Sequence, residues 1–281
     1  MELVKAALDR FNMSAVARDT YKSSRYAVNV AQRMRNARYR AHGAPDGLPL
    51  PPAHLVYLVS GQHDLAEFCR IGVRGAESIR AMLAQHGLDI ARFGHVLDFG
   101  CGCGRIMRQW HAISGPAFYG SDYNPLLLNW CRDNLPFATF SLNDETDGLR
   151  YPDATFDFAY AISVFTHLNE QAQGYWLREL RRSLTPGGYL LITTHGSTRV
   201  GELPPNARAR YAAGEMVVLR QQHSGDNVCK VFHPEQAVRR AAAAHGFSVV
   251  AAIPGGARDA NQDGYLLRRD DASDGGASNQ A

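Results

Sequence analysis

The chain has 281 residues, 45% of them hydrophobic, and a net charge of +3 from 30 basic against 27 acidic residues spread along its length. That balance provides no field to draw a polyanion, so nucleic acid is not an expected partner. No run approaches the roughly 20 apolar residues needed to span a membrane, and five cysteines, an odd number, argue against a disulfide framework. The expectation is a soluble protein of a reducing cytoplasm, a monomer or homodimer, with one α/β domain carrying insertions.

Residues 1–10 mix Glu2, Lys5, Asp9 and Arg10 without an apolar core, so no targeting peptide is read there. Residues 1–40 read as basic helix, forming an N-terminal arm at 1–55 that either packs its apolar side on the main domain or closes over a site as a lid. In the lid reading Tyr21 and Tyr26 line a substrate pocket. The Pro- and Gly-rich stretch 44–52 reads as a linker. Leu65, Phe68, Ile71, Ile79, Met82 and Leu83 then have the spacing of amphipathic helices, two of which fill 53–86. Gly87 follows where a helix-ending glycine belongs.

The next stretch is His95-Val96-Leu97-Asp98-Phe99-Gly100-Cys101-Gly102-Cys103-Gly104-Arg105. The apolar run 96–99 reads as a buried strand, and glycines at alternate positions let the backbone turn sharply and approach a ligand without a Cβ clash. Residues 105–110 are expected to form a helix whose first turn offers unpaired N–H groups to that ligand. A dinucleotide fingerprint requires Gly-x-Gly-x-x-Gly; counted from Gly100 the third glycine falls on Arg105, and from Gly102 the pattern reaches Met107. The dehydrogenase reading therefore fails. Cys101 and Cys103 lack the second ligand pair a zinc site needs, so they read as small packing residues and no metal is expected.

Residues 117–122 form a second strand ending in Asp122, about twenty residues past the glycines, where an acid meets ribose hydroxyls in nucleotide-binding α/β units. Asp122-Tyr123-Asn124-Pro125 is also a helix start, and both readings hold if Asn124 caps while Asp122 binds. A helix at 126–131 leads to a third strand, 137–142, ending in Asn143-Asp144. A fourth strand, 156–162, runs into Ser163-Val164-Phe165-Thr166-His167. A helix follows with Trp176, Leu177, Leu180 and Leu184 on one face, and Thr185-Pro186-Gly187-Gly188 stops it before a fifth strand, 189–194, ending at His195. A hairpin around 216–232, a helix at 234–245 and strands at 247–253 and 264–268 complete the pattern, and 271–281 reads as a disordered tail. Strands alternating with helices imply a parallel sheet covered on both faces. Ligand then sits outside the carboxyl ends of the strands, where Gly100, Asp122, Asn143, Ser163 and His195 all fall.

The pattern Asp98-x-Gly100-x-Gly102-x-Gly104, the stretch 151–168 and Leu184-Thr185-Pro186-Gly187-Gly188-Tyr189-Leu190 resemble the class I S-adenosylmethionine-dependent methyltransferases of the small-molecule type. The resemblance covers about residues 90–270. It implies a Rossmann-like, doubly wound α/β sheet of about seven strands, mostly parallel with the last antiparallel, in a domain at 56–270 with a substrate-side insertion at 196–232. It also implies S-adenosylmethionine as cofactor, with the glycine loop (Asp98, Gly100, Cys101, Gly102, Gly104) at its methionine portion, Asp122 and Tyr123 at the ribose, Asn143 and Asp144 at the adenine, and Ser163 beside them. The expected reaction is transfer of the methyl group to an oxygen or nitrogen of a small-molecule acceptor. His195 and His167 are the candidate bases by position and His223 a candidate substrate contact, each with a packing role as its alternative. A non-catalytic cofactor-binding scaffold and a protein or nucleic-acid methyltransferase are the competing readings. The second lacks the Asn/Asp-Pro-Pro-aromatic signature after the fourth strand, where Ser163-Val164-Phe165 stands.

Overall fold

A computed structural model describes residues 29–144, 147–219 and 229–271. The expected sites Tyr21, Tyr26 and His223, most of the arm and nearly all of the expected tail lie outside the described residues.

In chain order the elements are α1 (Val30–His42), α2 (Ala53–Ser60), α3 (Leu65–Ala84), β1 (His95–Phe99), β2 (Ala117–Asp122), α4 (Pro125–Asn134), β3 (Ala138–Leu142), β4 (Phe156–Ala161), α5 (Glu170–Ser183), β5 (Leu184–Thr194), α6 (Pro205–Ala212), β6 (Val217–Leu219), β7 (Lys230–Phe232), α7 (Glu235–Ala244), β8 (Phe247–Ala257) and β9 (Gln262–Arg269). Seven strands form one sheet in the order β3-β2-β1-β4-β5-β9-β8. The first five are parallel, and β9 runs antiparallel between β5 and β8. The β6–β7 hairpin stands apart as a two-stranded ribbon. Chain reversal between β1 and β4 leaves a crevice at the strand carboxyl ends, the usual ligand position in open α/β sheets.

Strand alternation assigns the two cores. Val96, Phe118, Phe158, Tyr160 and Leu191 face Ile79, Met107, Trp110 and Leu128 on one side of the sheet. Leu97, Phe99, Ala159, Leu190 and Ile192 face Trp176, Leu177, Leu180 and Val238 on the other. Each face buries its apolar row under helices, which is why these strands lack a polar side.

Two expectations are corrected. Residues 105–110 form no full helix: a tight 3-10 turn at Met107–Trp110 is all that follows the glycines. Its side chains Met107, Arg108 and Trp110 are all buried, and Gly104 stands at φ 73 just before it. A segment packed all round is anchored by its contacts and has no solvent face along which to extend. The stretch 44–52 is likewise no loose linker. The side chain of Asn36 on α1 donates to the His63 carbonyl at 2.7 Å and accepts from the Leu65 N–H at 3.2 Å. Tyr39, Ala44 and Leu50 pack with Leu55, Val56, Phe68 and Cys103 in a third core cluster. The described part of the arm is therefore welded to α3 and to the glycine loop.

Candidate active site

The glycine loop is folded back onto the end of β2. Gly100 and Cys101 N–H groups both donate to the Ser121 carbonyl, at 2.7 and 3.1 Å, Gly102 N–H donates to Asp122 Oδ2 at 2.8 Å, and Gly104 N–H donates to the Cys101 carbonyl at 3.0 Å. The amides of Gly100, Cys101, Gly102 and Gly104 are thus spent within the protein. All three glycines have positive φ, 78, 57 and 73°, a region that side chains avoid. A Cβ on Gly100 would stand 2.4 Å from Val164 Cγ2, and one on Gly102 would stand 2.8 Å from Val59 Cγ2. Val59 of α2 and Val164 after β4 therefore roof the loop, a pair the spacing gave no hint of. Gly104 has a different job, since its Cβ would strike Leu135 Cδ1 at 2.4 Å on α4. Cys101 is buried, its thiol pushed up by burial.

Asp98 is buried and paired in register with Tyr160 on β4. Trp110 Nε1 donates to the Tyr160 hydroxyl at 2.8 Å, and that hydroxyl in turn bonds Asp98. Burial pushes the Asp98 carboxyl up to about 7; the Tyr160 bond opposes the shift and the nearby Asp122 adds to it.

At that corner the capping falls to Asn124, as expected, and the Asp122 carboxylate takes backbone donors. Asn124 caps α4, its side chain accepting from Leu126 N–H at 3.0 Å, while Asp122 Oδ1 accepts from Asn124 N–H at 2.9 Å. The Tyr123 backbone also donates to this carboxylate, so three backbone donors occupy its four lone-pair sites and one remains. Burial raises the Asp122 carboxyl and the backbone bonds hold it back. Tyr123, next along, is 61% exposed. Asn143 at the end of β3 is buried and donates to Ser121 Oγ at 2.7 Å. Asp144 supports a local turn instead, accepting from Asp147 N–H at 2.7 Å.

At the β4 and β5 ends, Ser163 takes φ 61, which is uncommon for a residue with a side chain. Its N–H donates to Thr193 Oγ1 at 2.8 Å and its hydroxyl to Gln262 Oε1 at 3.1 Å. Ser163 thereby ties β4 to β9 and has no donor left for a ligand. His195 and His167 do come together, ring centroids 6.4 Å apart. His195, though, is only 3% exposed: β7 bridges to it, and Phe232 stacks obliquely on it at 5.2 Å. Burial, with Arg199 and neighbouring cationic groups, pushes its imidazole down to about 3. Of the two roles expected for His195, this environment supports packing over proton transfer near neutral pH. His167 is half-buried and its Nδ1 lies 2.7 Å from the Cys229 carbonyl. Because a carbonyl only accepts, the proton sits on Nδ1 and Nε2 is the basic ring nitrogen.

The fold and the crevice at the ends of β1 to β5 define a Rossmann-like methyltransferase. The chain belongs to the methyltransferase-domain family, whose model matches residues 67–252. It is 35% identical over 97 residues to the demethylmenaquinone methyltransferase of Deinococcus radiodurans, and 33% identical over 110 residues to the malonyl-[acyl-carrier protein] O-methyltransferase of Erwinia pyrifoliae. These matches cover 34% and 38% of this chain and span 36% and 40% of those relatives. The fold is also that of the 1,6-didemethyltoxoflavin-N1-methyltransferase of Burkholderia thailandensis, solved with S-adenosylhomocysteine, at TM-score 0.54 and 18% identity over 79% of this chain and 92% of that one. The residues present fit S-adenosylmethionine: Asp122 keeps acceptor capacity beside the glycine loop, and what stands over Gly100 and Gly102 is the end of two valine side chains, which rotate.

Proposed function

We propose that the chain methylates an oxygen or nitrogen of a small-molecule acceptor, with Asp122 and Asn143 holding the nucleoside, the Gly100–Gly102 turn and Asp98 the methionine portion, and His167 the base. The observation that carries the reading is the His167–Cys229 hydrogen bond. It fixes the imidazole tautomer from the insertion side and makes Nε2 the basic nitrogen, the atom that would take the proton of a hydroxyl or amine.

S-adenosylmethionine supplies an electrophilic methyl group. The protein's share is positioning, which for well-oriented reactants is worth up to roughly 7–11 kcal/mol. Ser163, locked to Thr193 and Gln262, keeps the β4 loop in one place. Val59 and Val164 exclude water above the glycines. His195, neutral and buried against Phe232, serves as packing beneath His167. The insertion bearing α6 and the β6–β7 hairpin covers the acceptor side, which suits a small acceptor better than a polymer. The activities by which two relatives are named, on demethylmenaquinone and on a carrier-bound malonyl group, support the same class.

The test is a mass-spectrometric screen of metabolite fractions with labelled cofactor. The expected result is gain of one methyl group by a small molecule together with S-adenosylhomocysteine release. Label entering protein or nucleic acid and no small molecule overturns the reading.

A further inference from the structure

On the far side of the sheet from the Trp110 turn, α5 and α7 leave a cavity of about 490 Å³ between them, within the range of small-molecule pockets. Its floor is Ile192, Thr194 and Leu267 of β5 and β9, and it stays open because small residues stand opposite each other, Gly174 on α5 and Ala237 and Ala241 on α7. Asp122 and Asn143 lie toward the other edge of the sheet, at β2 and β3, so this is not the cofactor crevice.

His233 lines the cavity, is 3% exposed, and has a defined tautomer. Gln173 Nε2 lies 2.7 Å from the Leu168 carbonyl and 3.4 Å from that of Phe165, so it is the amide NH₂ and can only donate. The same nitrogen is 2.8 Å from His233 Nε2, which must therefore accept. Burial pushes this imidazole down to about 3. It is neutral, and its single proton sits on Nδ1. Nδ1 is buried with no partner in hydrogen-bond geometry among the described residues, although the Val231 main chain lies close. A buried donor left unspent costs about 1–3 kcal/mol, which a ligand oxygen would recover.

The rim sets the charge. Arg210 is paired with Glu215 at 2.8 Å, Arg240 donates to the Gly214 carbonyl, and Glu170 adds one negative charge, so the charges of the lining's two arginines and two glutamates cancel and give an ion little to offset its desolvation. We propose that this cavity is a second ligand site, taking an uncharged, largely apolar molecule that places one carbonyl oxygen on the Nδ1–H of His233.

The test uses the full chain saturated with S-adenosylhomocysteine and a matched pair of probes, 2-acetylnaphthalene and its carbonyl-free isostere 2-isopropenylnaphthalene. The ketone is expected to bind one to one and about fivefold tighter than the isostere, the worth of one hydrogen bond. It should also move the His233 Nδ1 resonance. Ala241→Trp, at a half-buried position on the wall, should abolish binding of both probes and leave S-adenosylhomocysteine affinity unchanged; Ala237→Phe serves if the first variant is unstable. Equal binding of the two probes, competition with S-adenosylhomocysteine, or binding undiminished by a filled cavity overturns the proposal.

Discussion

Arg108 Nε lies 2.5 Å from Asp46 Oδ2, and Arg108 Nη2 lies 2.8 Å from Asp46 Oδ1, so a fully buried guanidinium is held by a carboxylate from the stretch before α2. Nη2 also donates to the Leu48 carbonyl at 3.1 Å. The fork-to-fork geometry joins the turn after the glycine loop to the segment that precedes α2. Removing one partner of a buried pair leaves an uncompensated charge, at a cost of about 3–5 kcal/mol. Asp46→Ala should lower the unfolding free energy from urea melts by that amount, and Arg108→Met together with Asp46→Leu should recover most of it. A loss under about 1 kcal/mol in the single variant would show that water reaches the guanidinium.

Asp122→Asn should weaken S-adenosylhomocysteine binding tenfold or more by calorimetry. The amide offers a single oxygen, so its NH₂ must face either Gly102 N–H or Asn124 N–H, and a charge-assisted bond to the ribose, worth about 1.5–3 kcal/mol, is lost as well. Wild-type affinity in this variant would confine Asp122 to holding the backbone.

The two histidines separate kinetically. His167→Ala should lower kcat by about 10²–10⁴ with cofactor affinity intact, the signature of a lost general base. His195→Gln should keep kcat within a few-fold, because the buried ring packs against Phe232 and takes no proton near neutral pH. The reverse ranking would return the base to His195.

Stability should fall on acidification. His195 and His233 hold imidazoles near 3 in the folded chain against about 6.5 unfolded, so between those values the unfolded state binds the extra protons and stability drops as pH falls. Asp98, pushed up to about 7, works in the opposite sense between about 4 and 7, since there the folded state holds the extra proton. Each buried imidazole contributes one proton's worth of acid destabilisation over pH 4–6.5, about 1.4 kcal/mol per pH unit, and the raised carboxyls of Asp98, Asp122 and Asp259 oppose it. Urea melts of His195→Gln across this window should show a slope smaller by that amount; an identical slope would mean the ring is protonated in the folded state.

The parallel strands were legible because each carries a short apolar run, and burial on both faces leaves that signature in the chain itself. Asp98, Asp122 and Asn143 were legible by position at strand ends. Other features were not. Arg108 and Asp46 are distant in sequence, and each alone reads as a solvated charge. Ser163 looked available to a ligand because its position was visible and its partner Gln262, across β9, was not. His195 marked the end of β5 correctly, while its burial depends on β7, a three-residue strand in a long irregular stretch whose docking no periodicity encodes. The 3-10 turn read as a helix because its residues are ordinary helix formers, and only the enclosure of Trp110 and Arg108 shows otherwise.

The place of β9 between β5 and β8 has a consequence for how the chain assembles. As synthesis proceeds from the N-terminus, β5 is the last parallel strand and presents an open edge at Tyr189–Thr194 until Gln262–Arg269 arrives to pair with it. β8, made earlier, has no neighbour in the sheet except β9. Two strands therefore wait on one, and the pairing that closes the sheet joins residues far apart in sequence, an intrinsically slow step. In the interval Leu190, Leu191 and Ile192 form an apolar edge of the kind that recruits other chains. Truncation before residue 262 should leave the candidate site's residues all present in an aggregating chain, and yield at expression, more than catalytic rate, should report on substitutions in β9.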